Sequence, residues 1–75
     1  MANHRRIEIL RLIAREKGIS LEGIAGSLQC NIKTISEHTK KMVQAGLVNK
    51  TYRGQKVMHF LSPYGVIFNK FTKTF

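Results

Sequence analysis

The sequence contains little negative charge, a single cysteine, no tryptophan and no long apolar run. Because Cys30 has no second cysteine to pair with, no disulfide can form within the chain, which is typical of a reducing compartment. No stretch approaches the roughly 18 apolar residues of a membrane-spanning helix, and the N-terminus shows no signal-peptide core. We therefore expect one cytoplasmic domain over residues 1–75.

Positive charge is the strongest feature of the composition. Thirteen Lys and Arg residues oppose four acids, which gives a net charge of +9 at pH 7. The acids all lie in the first half of the chain, at Glu8, Glu16, Glu22 and Glu37. From His38 onward there are seven basic residues and no carboxylate, so the excess has no local counter-charge. This pattern favours a polyanionic partner, with a solvated basic surface that binds nothing as the alternative.

The first predicted helix, over residues 5–17, has two apolar faces, and Gly18 stops it in a position suited to a C-terminal cap. A helix on the surface of a small domain rarely has two such faces. This one either lies at the centre of the core or shares a face with a second subunit, and we favour the second interpretation. One face carries Ile7, Leu10, Ile13 and Ala14, and the other carries Ile9 and Leu12.

Two helices separated by a tight turn follow. Ser20 is the predicted N-cap of a helix over 21–28, and Asn31 is the predicted N-cap of a helix from Ile32 to about Ala45. In the second of these, an apolar sector of about 100° predicts the buried face, and the opposite sector is charged. The buried set is Ile35, Thr39, Met42 and Val43, and the outer set is Lys33, Glu37, Lys40 and Lys41, flanked by Thr34 and Ser36.

Residues 47–52 and 57–61 have strand-like composition and predict a hairpin with a basic tip, in which Gly54 supplies a positive φ. Lys50, Arg53, Lys56 and His59 are expected to face outward, and Leu47, Val57, Phe60 and Leu61 to face the core. Ser62 and Pro63 then predict the start of a last helix. Its apolar stripe must pack on the first helix or on a second subunit. The stripe consists of Tyr64, Ile67, Phe68, Phe71 and Phe75.

The sequence gives no support for catalysis or for a metal site. Its histidines (His4, His38 and His59) and Cys30 show no short paired spacing of metal ligands. There is no paired carboxylate, no Gly-rich phosphate loop and no nucleophile beside a base. We expect a protein that is not an enzyme and uses no cofactor. Cys30 is interpreted as a small turn residue, with oxidant sensing as the alternative, and His38 as a partly buried helix residue or the neighbour of a phosphate.

The segments ISEHTKKMVQAGLV (35–48) and RGQKVMHFLSPYG (53–65) resemble the winged helix-turn-helix of ArsR-type transcriptional regulators, and more loosely of the MarR type. The resemblance implies a mainly α fold with a small β-hairpin, in the order helix-helix-helix-hairpin-helix. It also implies that helix 32–45 enters the major groove of double-stranded DNA and that the wing, residues 49–60, lies on the backbone. The implied DNA-binding residues are Lys33, Thr34, Ser36, Glu37, Lys40, Lys41, Lys50, Arg53, Gln55 and Lys56.

By the same resemblance, the first and last helices pair in a homodimer. The implied interface residues are Ile9, Leu12, Tyr64, Ile67, Phe68, Phe71 and Phe75. Metal-sensing members place cysteines where this chain has Ser20, Leu21 and Glu22, so the resemblance implies no metal site of that kind.

The expected function is sequence-specific binding of double-stranded DNA by a dimeric transcriptional regulator, most simply a repressor. The alternatives are a winged helix that binds another protein, and one that binds RNA or an unusual duplex. Glu37 lies at the centre of the predicted groove-facing surface. It either accepts a hydrogen bond from a cytosine amine or pairs with a lysine one turn away, and both interpretations stay open.

Overall fold

The computed structural model describes residues 2–72 of the chain, with the side chains of residues 4–71. The elements form a mainly α fold in the predicted helix-helix-helix-hairpin-helix order, with one short strand that the sequence did not indicate. None of the helices in the described part is long and apolar enough to cross a membrane. In chain order the elements are α1 (Ala2–Arg15), β1 (Ile19–Ser20), α2 (Leu21–Leu28), α3 (Ile32–Gln44), β2 (Val48–Arg53), β3 (Lys56–Leu61) and α4 (Pro63–Thr72).

Helix α1 lies at the centre of the core, because side chains from both of its apolar faces are buried. Ile9 and Leu12 are 0% and 2% exposed, and Leu10 and Ile13 are buried with them. Burying one such side chain is worth about 1.5–3 kcal/mol, so these residues hold the fold of the single chain together. The predicted role of Ile9 and Leu12 in a dimer interface is therefore wrong. Neither face of α1 is left for a partner at these positions.

The end of α1 is set by the sheet rather than by the helix itself. The predicted helix runs to residue 17, but α1 ends at Arg15. Gly18, with a φ of 86°, reverses the chain direction, and its N–H donates to the carbonyl oxygen of His59 at 3.0 Å. The pairing of residues 19 and 20 with β3 thus requires α1 to end two residues before its predicted end.

The helix-turn-helix forms as the capping residues predict. The Ser20 hydroxyl accepts a hydrogen bond from the N–H of Gly23 at 3.0 Å, and the Asn31 side chain accepts one from the N–H of Lys33 at 2.8 Å. Between the two helices, Gln29 adopts a left-handed φ of 53°, which closes the turn. Each cap is worth about 1 kcal/mol and fixes where its helix begins.

The sheet has the order β1-β3-β2, and both pairings are antiparallel. Val48 opposite Leu61 and Arg53 opposite Lys56 set the register of the hairpin, which leaves a two-residue turn with Gly54 at a φ of 61°. Val48 is fully buried, and the predicted core residues Leu47 and Leu61 are half-buried against the core.

His59 is buried in the centre of this sheet, so the prediction that it faces outward is wrong. It is 1% exposed, opposite Ile19 of β1 and Lys50 of β2. Its Nδ1 lies 2.9 Å from the carbonyl oxygen of Ile19. A carbonyl can only accept, so Nδ1 carries the proton and the buried Nε2, which has no hydrogen-bond partner in the described part, is bare. Burial lowers the pKa of His59, the hydrogen bond to Ile19 raises it, Lys50 lowers it and Glu22 raises it, and the net change is downward.

Helix α4 is fastened to the end of α3 through Ser62. The N–H of Ser62 donates to the carbonyl oxygen of Leu47 at 3.0 Å, its hydroxyl donates to the carbonyl oxygen of Gly46, and the same hydroxyl accepts from the N–H of Gly65 at 2.9 Å. Ser62 is thus the predicted N-cap of the last helix and also a tie between two elements. Gly65 lies so close to Leu47 that a Cβ at this position would overlap the carbonyl oxygen of Leu47.

Candidate nucleic-acid interface

One face of α3 is built to point away from the domain. Ile35, Thr39 and Met42 are buried at helical spacing, which confirms the predicted inner face and fixes the rotation of the helix. The hydroxyl of Thr39 is satisfied by donating to the carbonyl oxygen of Ser36 at 3.0 Å. The opposite side, which we call the groove face, is exposed and comprises Lys33, Thr34, Glu37, Lys40 and Lys41, while Ser36 is half-buried at its edge.

Among the residues that the structure describes, Glu37 forms no close ion pair with the lysines of the groove face. Within residues 4–71 the ion pairs are Arg5–Glu8 at 3.0 Å and Arg15–Glu16 at 3.8 Å, both of which involve α1. No ion pair in that part of the chain joins Glu37 to a lysine one turn away. The pairing interpretation of Glu37 is therefore not realised, and its hydrogen bond to a base stays a prediction.

The wing tip places two cations side by side. Arg53 and Lys56 face each other across the hairpin, and both are exposed, as is Gln55 in the turn. Cβ atoms of directly opposed residues are about 4.5–5.5 Å apart, and like charges at such a position are mutually destabilising. An anion beside the tip would remove that repulsion. Lys50 lies further down β2, opposite His59, and is half-buried.

The wing tip leans over the beginning of α2. A cleft of about 760 Å³ lies between them, with Ser20 and Glu22 on one wall and Arg53, Gln55 and Lys56 on the other. The side chains of the wing thus lie over the first helix of the helix-turn-helix. The structure brings the predicted DNA-binding residues together in two sets, one on the groove face and one on the wing.

A third group of cations was not found from the sequence. His38 lies on the flank of α3, half-buried, where burial and the nearby charges of Arg6, Lys41 and Arg5 lower its pKa, while Glu37 acts in the opposite direction. The two arginines come from α1, more than thirty residues earlier in the chain. Only the packing of α1 against α3 reveals that they belong to the same surface. The prediction that His38 is partly buried is confirmed.

Helix α4 exposes its apolar side and buries its polar side. Tyr64, Ile67, Phe68 and Phe71 are 57%, 54%, 37% and 64% exposed. The rings of Tyr64 and Phe68 contact each other, with centroids 6.4 Å apart. The residues of α4 that are buried are Gly65 and Asn69. The apolar stripe is therefore only partly covered: Phe68 lines a cavity with Arg6 and Leu10 of α1, whereas the other three side chains are more than half exposed. Phe75 lies outside the described residues.

Comparison with known structures places this fold among winged helices of the MarR type. Staphylococcus aureus MarR in complex with salicylate and kanamycin aligns with a TM-score of 0.84 at 20% identity, over 92% of this chain and 48% of that chain. Streptococcus pneumoniae FabT in complex with DNA aligns with a TM-score of 0.86 at 12% identity, over 92% and 50%. A MarR repressor from Listeria monocytogenes gives 0.85 at 19% identity, over 92% and 48%.

These identities show the fold and no more, and the chain spans about half the length of each of the three proteins. The fold supports the looser MarR-type prediction, and the ArsR-type assignment stays a prediction. No curated protein matches the chain. A family model named HVO_A0114 matches residues 2–68. Because that match covers most of the 75 residues, the chain belongs to the HVO_A0114 family.

Proposed function

We propose that the protein binds double-stranded DNA as a cytoplasmic transcriptional regulator, most simply a repressor, with α3 in the major groove and the wing on the backbone. The observation that carries the proposal is the groove face, where three lysines and a threonine are exposed on a helix whose opposite side is buried. An α-helix fits the width of the major groove of B-DNA. FabT, which has the same fold, was solved in complex with DNA.

The two sets of residues would do different work. Arg53, Lys56 and Lys50 of the wing neutralise phosphates, which contributes affinity without reading sequence. The groove face reads base edges. There Thr34 and Ser36 offer hydroxyl groups, and Glu37 accepts a hydrogen bond from a cytosine amine.

Fluorescence anisotropy with labelled duplex DNA at several salt concentrations tests this proposal. Arg53→Ala should weaken binding about equally on all sequences and reduce the slope of log K against log salt by about 0.9. Ser36→Ala or Lys40→Ala should instead change the order of preference among a panel of duplexes. If neither Arg53→Ala nor Lys40→Ala alters affinity at low salt, the proposal is wrong.

The same titrations separate the alternatives. A winged helix that binds another protein would show no steep salt dependence with random duplex DNA. A winged helix that prefers RNA or an unusual duplex would be revealed by competition, because an unlabelled RNA hairpin would displace the labelled DNA more effectively than unlabelled B-form duplex does.

We also propose that the protein acts as a homodimer through α4. Four large apolar side chains on one side of α4 form a patch that soluble monomers seldom leave uncovered. Pairing of this side with a second copy would cover it and would present two groove faces to the duplex, as dimeric helix-turn-helix proteins do. Sedimentation velocity gives the test, since a wild-type chain that stays at 8.6 kDa at micromolar concentration contradicts the dimer.

A further inference from the structure

The side chains around His38 form a cationic surface that the groove face and the wing do not account for. Arg5 and Arg6 of α1 and Lys41 of α3 all lie near the imidazole. Arg5 is paired with Glu8, but no ion pair in residues 4–71 includes Arg6 or Lys41. We call Arg5, Arg6, His38 and Lys41 the flank patch. It joins two helices that are far apart in sequence.

The flank patch is continuous with the groove face. Taking Glu37 as the centre of that face, Lys41 lies about 40° around the helix and His38 about 100°, on the same side. Residues three apart on a helix are neighbours, with Cβ atoms about 5–6 Å apart, so Lys41 bridges the two surfaces. Arg5 and Arg6 extend the positive charge beyond the edge of α3. If α3 occupied the major groove, the DNA backbone that borders the groove would lie on this side of the helix.

Arg6 is held in place by the fold. Its stem lines a cavity of about 370 Å³ with Leu10, Met42 and Phe68, so it packs between α1, α3 and α4. Its Nε is buried and makes no hydrogen bond in the described part. A side chain that is already ordered loses less conformational entropy when it binds. The planar end of an arginine also matches a phosphate, to which it can donate two parallel hydrogen bonds.

We propose that the flank patch binds a backbone phosphate of the duplex beside the groove that α3 occupies, as a third contact next to the groove face and the wing. This inference rests on the proposed DNA-binding function. In the free protein, burial and the neighbouring cations lower the pKa of His38. A phosphate placed among them reverses the local potential, so His38 takes up a proton as the DNA binds. The charged groups that face His38 are Arg5 and Arg6 of α1 and Lys41 and Glu37 of α3.

Charge removal within the flank patch, with a matched control on the same helix, tests the phosphate contact. Arg6→Gln and Arg5→Gln each remove one charge from the patch. Arg15→Gln removes one charge from the exposed far end of α1, about 13–14 Å along the helix axis from Arg6. Anisotropy with one duplex at salt concentrations from 50 to 200 mM compares the three variants with wild type.

We expect Arg6→Gln to lower affinity equally on all duplex sequences and to reduce the salt slope by about 0.9, so that its deficit relative to wild type shrinks about 3.5-fold across that salt range. Arg15→Gln should leave the slope unchanged. Arg6→Lys keeps the charge and should restore the slope, which separates loss of the phosphate contact from damage to the fold.

Proton linkage provides a second readout. Calorimetric titration with DNA near pH 6, in two buffers of different ionisation enthalpy, counts the protons taken up on binding. We expect net uptake by wild type and markedly less by His38→Gln.

Two results would overturn the inference. Affinities of Arg5→Gln and Arg6→Gln that match Arg15→Gln would show that no phosphate lies at the patch, as would proton uptake that His38→Gln leaves unchanged. In that case Arg53→Ala would still weaken binding, and the proposed function would stand. If the wild-type chain shows no salt-dependent binding to duplex DNA, the function and the flank contact fail together.

Discussion

The contact between α4 and Leu47, the residue before β2, gives the sharpest test of the fold, through Gly65→Ala. A Cβ added at Gly65 would overlap the carbonyl oxygen of Leu47 and lie 3.0 Å from its carbonyl carbon. Carbon atoms in ordinary contact are about 3.5–4.0 Å apart, so α4 or the start of β2 must move by at least about 0.5 Å. Both partners are backbone, so no side chain can swing aside to relieve the overlap.

The cost follows from what that movement disturbs. Overpacking of this kind costs about 1–3 kcal/mol. The carbonyl oxygen that must move also accepts the hydrogen bond of the Ser62 N–H at 3.0 Å, whose loss adds about 0.5–1.5 kcal/mol. We expect Gly65→Ala to lower the free energy of unfolding by about 2–4 kcal/mol. A chain of 75 residues has about 4–11 kcal/mol in total, so the loss is a large part of its stability.

Gly26→Ala is the matched control, since it makes the same chemical change in another helix. Gly26 is exposed in α2, and a Cβ there meets nothing within 4 Å. Replacing a helical glycine with alanine in open space stabilises by about 0.5–1 kcal/mol. In a domain of this size, a change of 1 kcal/mol in stability shifts the melting temperature by about 4–8 °C. Thermal unfolding followed by circular dichroism should therefore show a melting temperature about 10–25 °C lower for Gly65→Ala and a few degrees higher for Gly26→Ala. Equal midpoints for wild type and Gly65→Ala would refute the close contact.

Two further predictions concern the sheet and α4. The pKa of His59 is lowered in the folded state, so as the pH falls the unfolded chain binds a proton at a pH where the folded chain does not. The free energy of unfolding should therefore be at its full value above about pH 6.5 and should fall below that pH, by at most about 1.4 kcal/mol per pH unit for one group. His59→Asn should flatten this fall in thermal midpoint more than His38→Asn does, and identical pH profiles for the two variants would contradict the buried imidazole. Phe71→Glu on the exposed side of α4 should shift sedimentation from dimer to monomer without loss of helix content, whereas Tyr52→Glu, which changes an equally exposed aromatic on β2, should leave the dimer intact.

Local sequence signals predicted well those features that depend only on neighbouring residues, such as the helix starts. The N-caps Ser20, Asn31 and Ser62 each satisfy a backbone N–H within three residues, and such bonds depend on little beyond the neighbouring sequence. The buried side of α3 was also predictable, because helical periodicity alone separates Ile35 and Met42 from the charged side.

The placement of α1 could not be predicted in the same way. Two apolar faces are compatible with a central helix and with a dimer helix, and helical spacing does not distinguish them. The packing of β3, α3 and α4 against α1 decides the question, since it leaves Ile9 and Leu12 almost no exposed surface. The flank patch was missed for the same reason, because it joins α1 to α3 through tertiary packing only.

His59 shows how one short strand completes the burial of a side chain. The prediction set His59 against Met58 and Phe60, but strand alternation puts it on the face of Val57 and Leu61, two residues that were expected in the core. The pairing of Ile19 and Ser20 with β3 makes β3 the central strand, and it brings a backbone carbonyl within reach of the ring. A two-residue strand has too few residues to show any periodicity, so the sequence carries no signal for it.

Helix α4 departs furthest from the expectation that apolar side chains turn inward, and the direction of the departure is informative. Had the whole stripe packed on α1, its phenylalanines would be buried and the helix would serve only the fold of one chain. Instead the near approach to Leu47 requires Gly65 on the inner side, and a helix held through its smallest residue turns its largest ones outward. Those side chains contribute only part of their apolar surface to the core of the single chain. Their retention on one exposed side is therefore best explained by an interface, which is the physical basis for proposing that two copies act together.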